Sequence, residues 1–492
     1  MSYIQPQDRS QFTMMGKLDD LVSPDHPVRL LDMMIDEIVK NNPDVFGTET
    51  FGDPGRPEFS HATLQKEIHY GYCNKVNASR RLETESERNI ELIWLLGALS
   101  PDHWVIANYR ANFDKEIKFV ATKVRQFLRD NGYIAGKRMA VDGSKFKANA
   151  RRDMLTIEKI EKRFEHAERD LEKYLQILAD NDTREDVIES LEQSDDSWTD
   201  RESALLDRIV KLQQELESLN KMKEAMKTTG QTYISPADPE ARLMRSRDGK
   251  VPAYNVQIIV DDKHKFIADS EVLTDENDLG ALAPMVDSLI EELGITPKEL
   301  LTDAGYNAPD AIEQVESSHD INCYVAQKRK KESPQAAVTF SYDQPNDQYV
   351  CSRGRLLPLK ARNVQKNKSL VNVYQGTQCQ GCPVRTACTK SKYGRQIKRY
   401  VNHQWREQFK QRMKEYKSRI FLAIRKCLAE HPFGTIKWLA GKIPLLLRGQ
   451  RKVSTEINLY TTAFNLKRLF NLETFETLTY QFATYNWKTA KV

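Results

Sequence analysis

The sequence predicts an α/β fold: a mixed-sheet core carrying an all-helical N-terminal domain, a coiled-coil insertion and a small Cys-rich insertion. Three observations predict it. From Tyr254 to Ala326 the runs read strand, strand, helix, strand, helix, strand, the order of a mixed α/β sheet. Between Ile157 and Leu219 apolar residues fall into two heptad seams. Between Cys351 and Cys388 four cysteines punctuate a polar stretch with little periodicity. At 492 residues the chain is too long for one core. The expected segments are a helical domain at 1–130, the first part of the core at 131–152, the coiled-coil hairpin at 153–230, more core at 231–328, the Cys-rich insertion at 329–400 and C-terminal helices completing the core at 401–492.

Residues 17–41 place Val28, Leu31, Met34, Ile35 and Ile38 at helical spacing behind a Ser23-Pro24-Asp25 start, which predicts an amphipathic helix. A Gly- and Pro-rich loop follows from Gly52 to Pro57. Helical patterns then run from His61 to Asn74 and from Ser79 to Leu99, and Ser100-Pro101 opens another from Asp102 to Phe113. Short helices joined by tight turns suit a helix-turn-helix DNA reader, with His103, Asn108, Arg110 and Asn112 as candidate groove contacts. An ordinary helical bundle fits the same pattern.

Met139-Ala140-Val141 reads as a buried strand that delivers Asp142, with Gly143 relieving backbone crowding behind it. An acid leaving a core strand is a candidate metal ligand, although Asp-Gly is also ordinary turn punctuation. Next, Ile157, Ile160, Phe164, Ala167, Leu171, Tyr174 and Leu178 alternate spacings of three and four. After polar breaks at Asp180–Asp182 and around Ser194 to Asp200, Leu205, Ile209, Leu212, Leu216 and Leu219 repeat the seam. The pair predicts an antiparallel coiled-coil arm for shape, assembly or dimerisation.

The core resumes with a hairpin, strands from Tyr254 and from His264, turning near Asp262 and Lys263. That turn takes Asp261, the main rival as a ligand, away from any site. A helix from Asp278 to Leu293 ends at Gly294. Glu299 to Thr302 then repeats the earlier design, a buried strand ending on an acid, Asp303, with Gly305 behind it. A helix from Pro309 to Ser317 leads to a strand from Ile321 to Ala326. Two aspartates at the ends of core strands in one sheet point to a shared site more strongly than either alone.

Cys379 and Cys382 have the spacing of a chelate loop around tetrahedral zinc, and Cys351 and Cys388 would complete four ligands. Free thiols packed in a small subdomain are the plain alternative. Tyr416 to Thr435 is a basic helical stretch holding one late acid, Glu430, and His431-Pro432 marks a kink or a fresh start. Ser454-Thr455-Glu456 then caps a final helix with Leu459, Ala463, Leu466 and Leu469 facing inward.

The net charge of +4 averages two unlike regions. From Asp153 to Thr228 there are 21 acids against 12 bases, whereas from Arg385 to Lys426 there are 14 bases against 2 acids. The second region suits a polyanion partner; a solvated helix face is the plainer alternative. No apolar run is long enough to span a bilayer, and the first residues lack a signal-peptide core, so a cytoplasmic protein with reduced thiols and no membrane partner is expected.

The residues GRPEF (55–59), YGYCNKVNASRRLE (70–83), NIELIWLLGALSPDHWVIANYR (89–110), VDGSKFKANA (141–150), LLTDAGYNAP (300–309), CQGCPVRTAC (379–388) and EHPFGTIK (430–437) resemble a DDE transposase of a bacterial insertion sequence, of the branch with an InsH-like N-terminal domain. The resemblance runs in order over nearly the whole chain and leaves mainly the coiled-coil arm outside. It implies an RNase H-like core in which Asp142, Asp303 and Glu430 are the three catalytic acids, holding Mg²⁺ or Mn²⁺. It also implies DNA partners, the terminal inverted repeats and the target, and a homo-oligomer acting on paired ends.

The family often shows Tyr-x2-Arg-x3-Glu-x6-Lys around its last acid. Here Glu430-x6-Lys437 is kept, but Tyr416-x2-Arg419 lies seven residues further upstream, and Lys426 is the other candidate for the arginine's place. Arg419, Lys426, Lys437, Arg110 and Asn108 are the expected DNA contacts. Two alternatives stay open: a DNA-binding or assembly protein with an inactive core, and a nuclease that never joins strands.

Overall fold

The computed structural model describes residues 12–13, 16–47, 58–189, 197–246, 249–327, 338–367, 369–441 and 445–488. The Gly52–Pro57 loop and residues 190–196 of the second polar break lie outside them. The chain is mixed α/β and gathers into two compact units. The first comprises Met1–Ile134, Gly143–Asn277 and Glu430–Val492; the second comprises Ala135–Asp142 and Asp278–Ala429.

In the first unit the expected amphipathic helix spans Pro27–Asn41 and buries Val28, Leu31, Met34, Ile35 and Ile38. Ser60 caps His61–Cys73 by accepting the amide of Thr63, and Asp102 caps His103–Asn112 by accepting those of Trp104 and Val105. The single helix expected from Ser79 to Leu99 is two, Ser79–Arg88 and Ile90–Leu95. Asn89 breaks it with an extended backbone and a side chain that caps Glu91. A further helix, Asp114–Asp130, went unread in the sequence; it buries Ile117, Val120, Val124, Phe127 and Leu128.

The helix Gln450–Leu472 is the axis of this unit, packing on His61–Cys73, Asp114–Asp130 and the strand Ile267–Leu273. Its Asn465 amide bonds both the N–H and the C=O of Ile267, each at 2.9 Å, and Tyr460 meets Tyr72 edge to face at 4.7 Å. It begins four residues before the expected Ser454 cap. Glu456 is therefore an interior helical residue, wholly buried, whose carboxylate accepts the amides of Leu446 and Leu447 and the hydroxyl of Tyr72. The acid caps another segment's backbone instead of its own helix.

Strands in the first unit are antiparallel: Arg242–Ser246 pairs with Gly249–Asp261, which pairs with Ile267–Leu273. Asp261 sits on the hairpin turn as expected, accepting the amide of Lys263 at 3.0 Å. Helices Ile157–Glu189 and Ser197–Thr229 pack on each other, with Ile160 and Phe164 against Leu219 and Met222, so that the start of one meets the end of the other. Helix continues through the polar break expected at Asp180–Asp182.

In the second unit Arg138–Ala140 runs parallel to Glu299–Leu301, and Glu299–Thr302 runs parallel to Asn322–Val325. Helices Leu282–Leu293 and Pro309–His319 pack together beside them, the first ending at left-handed Gly294 with φ +61°. The stretch read as aperiodic is an antiparallel five-stranded sheet, in the order Gln396–Tyr400, Ser369–Gln375, Leu356–Lys366, Gln348–Cys351, Phe340–Asp343. The helix Tyr416–Ala440 continues through Pro432 without a fresh start.

Candidate active site

In the second unit, Ala140 is the parallel partner of Leu301, the last pair of their register, and Asp142 and Asp303 each follow two residues further on, where the charges of both reach the Tyr306 phenol. The expectation that Asp142 ends its strand fails, because the extended run continues to Lys147 and anchors itself with Phe146, 1% exposed. Asp303 does follow its strand's end. Its Oδ1 accepts the amide of Gly305 at 2.6 Å and so caps the turn Ala304–Tyr306.

Three residues that the sequence did not single out complete this group. A Cβ on Gly305 would lie 2.8 Å from Asp303 Oδ1 and 3.0 Å from Asp278 Oδ2, so both carboxylates press on one glycine. Tyr306 is buried beside them. Burial first, and then the charges of Asp278, Asp142 and Asp303, push its phenol far above its ordinary value, against the opposing pull of Arg425. Arg425 Nη2 in turn stands 3.8 Å from Asp142 Oδ1.

Packing explains why Arg425 and not Lys426 reaches the acid. Phe421, Leu428 and Ala429 seat their helix on Ala140, Leu301 and Tyr324. Arg425 falls on that sheet-facing stripe, i+4 from Phe421, whereas Lys426 is rotated about 100° away and is exposed. Arg419 and Tyr416 are exposed on the same helix.

In the first unit, Glu430 is exposed, and the ammonium of Lys437 donates to Ser144 Oγ at 2.6 Å above the Phe146 ring. Arg110, expected as a groove contact, is 4% exposed and turned inward onto the Asn77 carbonyl and Ser79 Oγ. It serves the fold, and its charge counters the burial that pushes the Glu456 carboxyl up. Asn108 accepts from Asn112 at 2.7 Å, and His103 pairs with Glu83 at 2.9 Å. Trp104 on that helix is 68% exposed.

Cys351, Cys379, Cys382 and Cys388 line one small cavity of the second unit, and all are free thiols. Among the described residues no group of three or more His, Cys, Asp or Glu is already arranged to hold a metal ion. The donor chemistry at Asp142, Asp303 and Asp278 is nonetheless that of a hard cation, since carboxylate oxygens are what Mg²⁺ selects.

Two family models match the chain: a transposase DDE domain over residues 350–470 and a transposase domain (DUF772) over residues 16–112. The first includes Glu430 and leaves Asp142 and Asp303 outside. No curated protein matches. Among solved structures, a cryo-EM structure of the piggyBac transposase synaptic complex with hairpin DNA is similar at 11% identity, over 95% of this chain and 86% of that one. Its TM-score of 0.22 is too low to carry an argument.

Proposed function

We propose, from the premise that this chain belongs to the DDE transposases of insertion sequences, that it cuts the ends of its element and joins them to target DNA with divalent-metal chemistry. The observation that supports the catalytic part is that Asp142 and Asp303 each follow by two residues the paired Ala140 and Leu301 of neighbouring parallel strands, with both charges acting on Tyr306. Glu430 enters as the third acid on the strength of the EHPFGTIK resemblance, and an RNase H-like core follows from the same likeness, whereas the coiled-coil arm rests on the two heptad seams alone.

Cleaving a phosphodiester by water, or attacking a target phosphate with a 3′-hydroxyl, is an in-line displacement at a centre crowded with negative charge. Asp142, Asp303 and Glu430 would hold Mg²⁺ or Mn²⁺, which when bound activates the attacking oxygen and stabilises the leaving one. The chain's own residues do the rest. Arg425, 3.8 Å away, offsets part of the charge of Asp142. The turn amide of Gly305 holds Asp303 in one orientation. Arg419, Lys426 and Lys437 take phosphates, which positions DNA without reading its sequence. Asn108, Trp104 and His103 on the capped helix His103–Asn112 are the surface offered to the terminal repeats, and action on paired ends calls for a homo-oligomer. No helix among the described residues is long and apolar enough to cross a membrane.

The test is a plasmid bearing the element's ends, incubated with the purified chain, Mg²⁺ and a target plasmid. Excision with joined products is expected. Cleavage without joining would favour the nuclease, and end binding without cleavage would favour the assembly protein.

A further inference from the structure

We infer that Cys351, Cys379, Cys382 and Cys388 bind one Zn²⁺ that staples the five-stranded insertion of the second unit. Nothing in the transposase reading requires this, and it stands or falls independently. Three separate segments of the insertion bring the thiols to one cavity of about 30 Å³, room for a single ion and too little for an organic ligand.

Two of those segments have the local form of a chelating turn. Cys379-Gln-Gly-Cys382 closes with the Cys382 amide on the Cys379 carbonyl at 3.4 Å, and Gly381 supplies the left-handed φ of +71° that the tight loop needs. Cys351 ends the strand Gln348–Cys351 and opens an equivalent turn: the Gly354 amide donates to its carbonyl at 2.8 Å, with Gly354 at φ +74°. Cys388 comes from the short helical turn Arg385–Cys388. The site is also built against crowding. A Cβ on Gly376 would lie 2.6 Å from Cys379 Sγ, and one on Gly394 would lie 3.3 Å from it, so two glycines are cut away around that sulfur.

The fold supplies a reason for the ion. Around this sheet the buried apolar side chains are Val338, Leu357, Val371, Val373 and Tyr374, while Leu356, Val364 and Leu370 are exposed. A sheet with so small a core commonly needs a disulfide or a structural metal. The cysteines are free thiols, and the C-x2-C spacing with two further sulfurs is a tetrahedral zinc donor set.

Loading is proton-coupled: four S–H protons leave to solvent as four Zn–S bonds form, leaving two net negative charges. Arg395 and Arg355 stand ready to offset them, the first bonded to the Cys388 carbonyl at 2.9 Å and the second to the Gln378 carbonyl. Burial and the neighbouring cysteines hold the Cys388 thiol above its ordinary value, against Arg395.

The experiment is metal analysis of the full chain, purified without a histidine tag in a thiol-free buffer. About one zinc per chain is expected. Cys379→Ser and Cys388→Ser should each lower it at least about fivefold, and Cys427→Ser, an exposed cysteine outside the cluster, should leave it unchanged. Because a serine variant could fail by misfolding, the wild-type chain is also exchanged with Co²⁺, where intense thiolate-to-cobalt absorption of tetrahedral form is expected. Wild-type chain without stoichiometric zinc and without that absorption, a Cys379–Cys382 disulfide, or zinc kept by both serine variants would each overturn the inference.

Discussion

Arg425 and Asp142 stand 3.8 Å apart, Arg425 only 9% exposed and carried on a helix face whose other members, Phe421 and Leu428, are buried in the sheet. The pair places a fixed positive charge at the carboxylate most central to the proposed chemistry. Such a charge partly offsets that of the acid, and is available to a phosphate once a cation takes over the acid.

We predict that Arg425→Ala lowers strand cleavage by on the order of 100-fold, the scale of losing one oriented charge in a catalytic site. Arg425→Lys should recover part of this and Lys426→Ala should cost only a few-fold, since Lys426 points to solvent. Equal losses for Arg425→Ala and Lys426→Ala, measured at saturating DNA, would contradict the assignment.

Gly305 lies under two carboxylates at once. A methyl group there meets Asp303 Oδ1 at 2.8 Å, closer than van der Waals contact allows, so Gly305→Ala should displace Asp303 or Asp278 while the helices of the first unit stay folded. The expected result is end binding within about twofold of wild type and cleavage reduced roughly tenfold or more, because small misplacements of reacting groups are costly. Asp278→Asn should raise the Mg²⁺ concentration needed for half-maximal cleavage. An unchanged Mg²⁺ titration would remove Asp278 from the site.

Glu67 gives a pH prediction for stability. It is fully buried, neither carboxylate oxygen has a hydrogen-bond partner among the described residues, and burial first and then Glu83 raise its pKa from 4.5 to about 8. An acid whose folded pKa lies above its unfolded one is tolerated while protonated in both states, and its contribution to stability is lost as pH rises from about 4.5 through about 8. Glu67→Gln should therefore flatten the fall in melting temperature between pH 5 and pH 8, with the larger stabilisation at the alkaline end. A variant whose melting profile stays parallel to wild type would show that Glu67 titrates normally.

Much of the proposed site's framework was legible where the signal was local. Apolar runs ending on Asp142 and Asp303 announced two strands, and the caps at Ser60 and Asp102 announced two helix starts. Arg425 was not legible: it adjoins Lys426 in a run of bases, and only the register of Phe421 and Leu428 against the sheet decides which of the two faces inward. Asp278 was hidden as a helix start, although the helix begins at Leu282, and its relation to Gly305 is purely tertiary. The five-stranded sheet escaped notice because strands such as Leu356–Lys366 are exposed along most of their length, so no alternation of burial is imprinted on the residues. Glu456 misled in the opposite way: Ser-Thr-Glu reads as a cap, but its carboxylate satisfies the amides of Leu446 and Leu447 from a different segment.

The most direct test is single-turnover nicking of end-bearing supercoiled DNA with Mg²⁺, comparing Asp142→Asn and Asp303→Asn with Asp287→Asn, a surface carboxylate outside the group. Both strand-borne variants should bind the DNA ends normally and lose cleavage by on the order of 1,000-fold or more, while Asp287→Asn cleaves at the wild-type rate. Cleavage by Asp142→Asn or Asp303→Asn at near wild-type rate would contradict the assignment of these two acids to the chemistry.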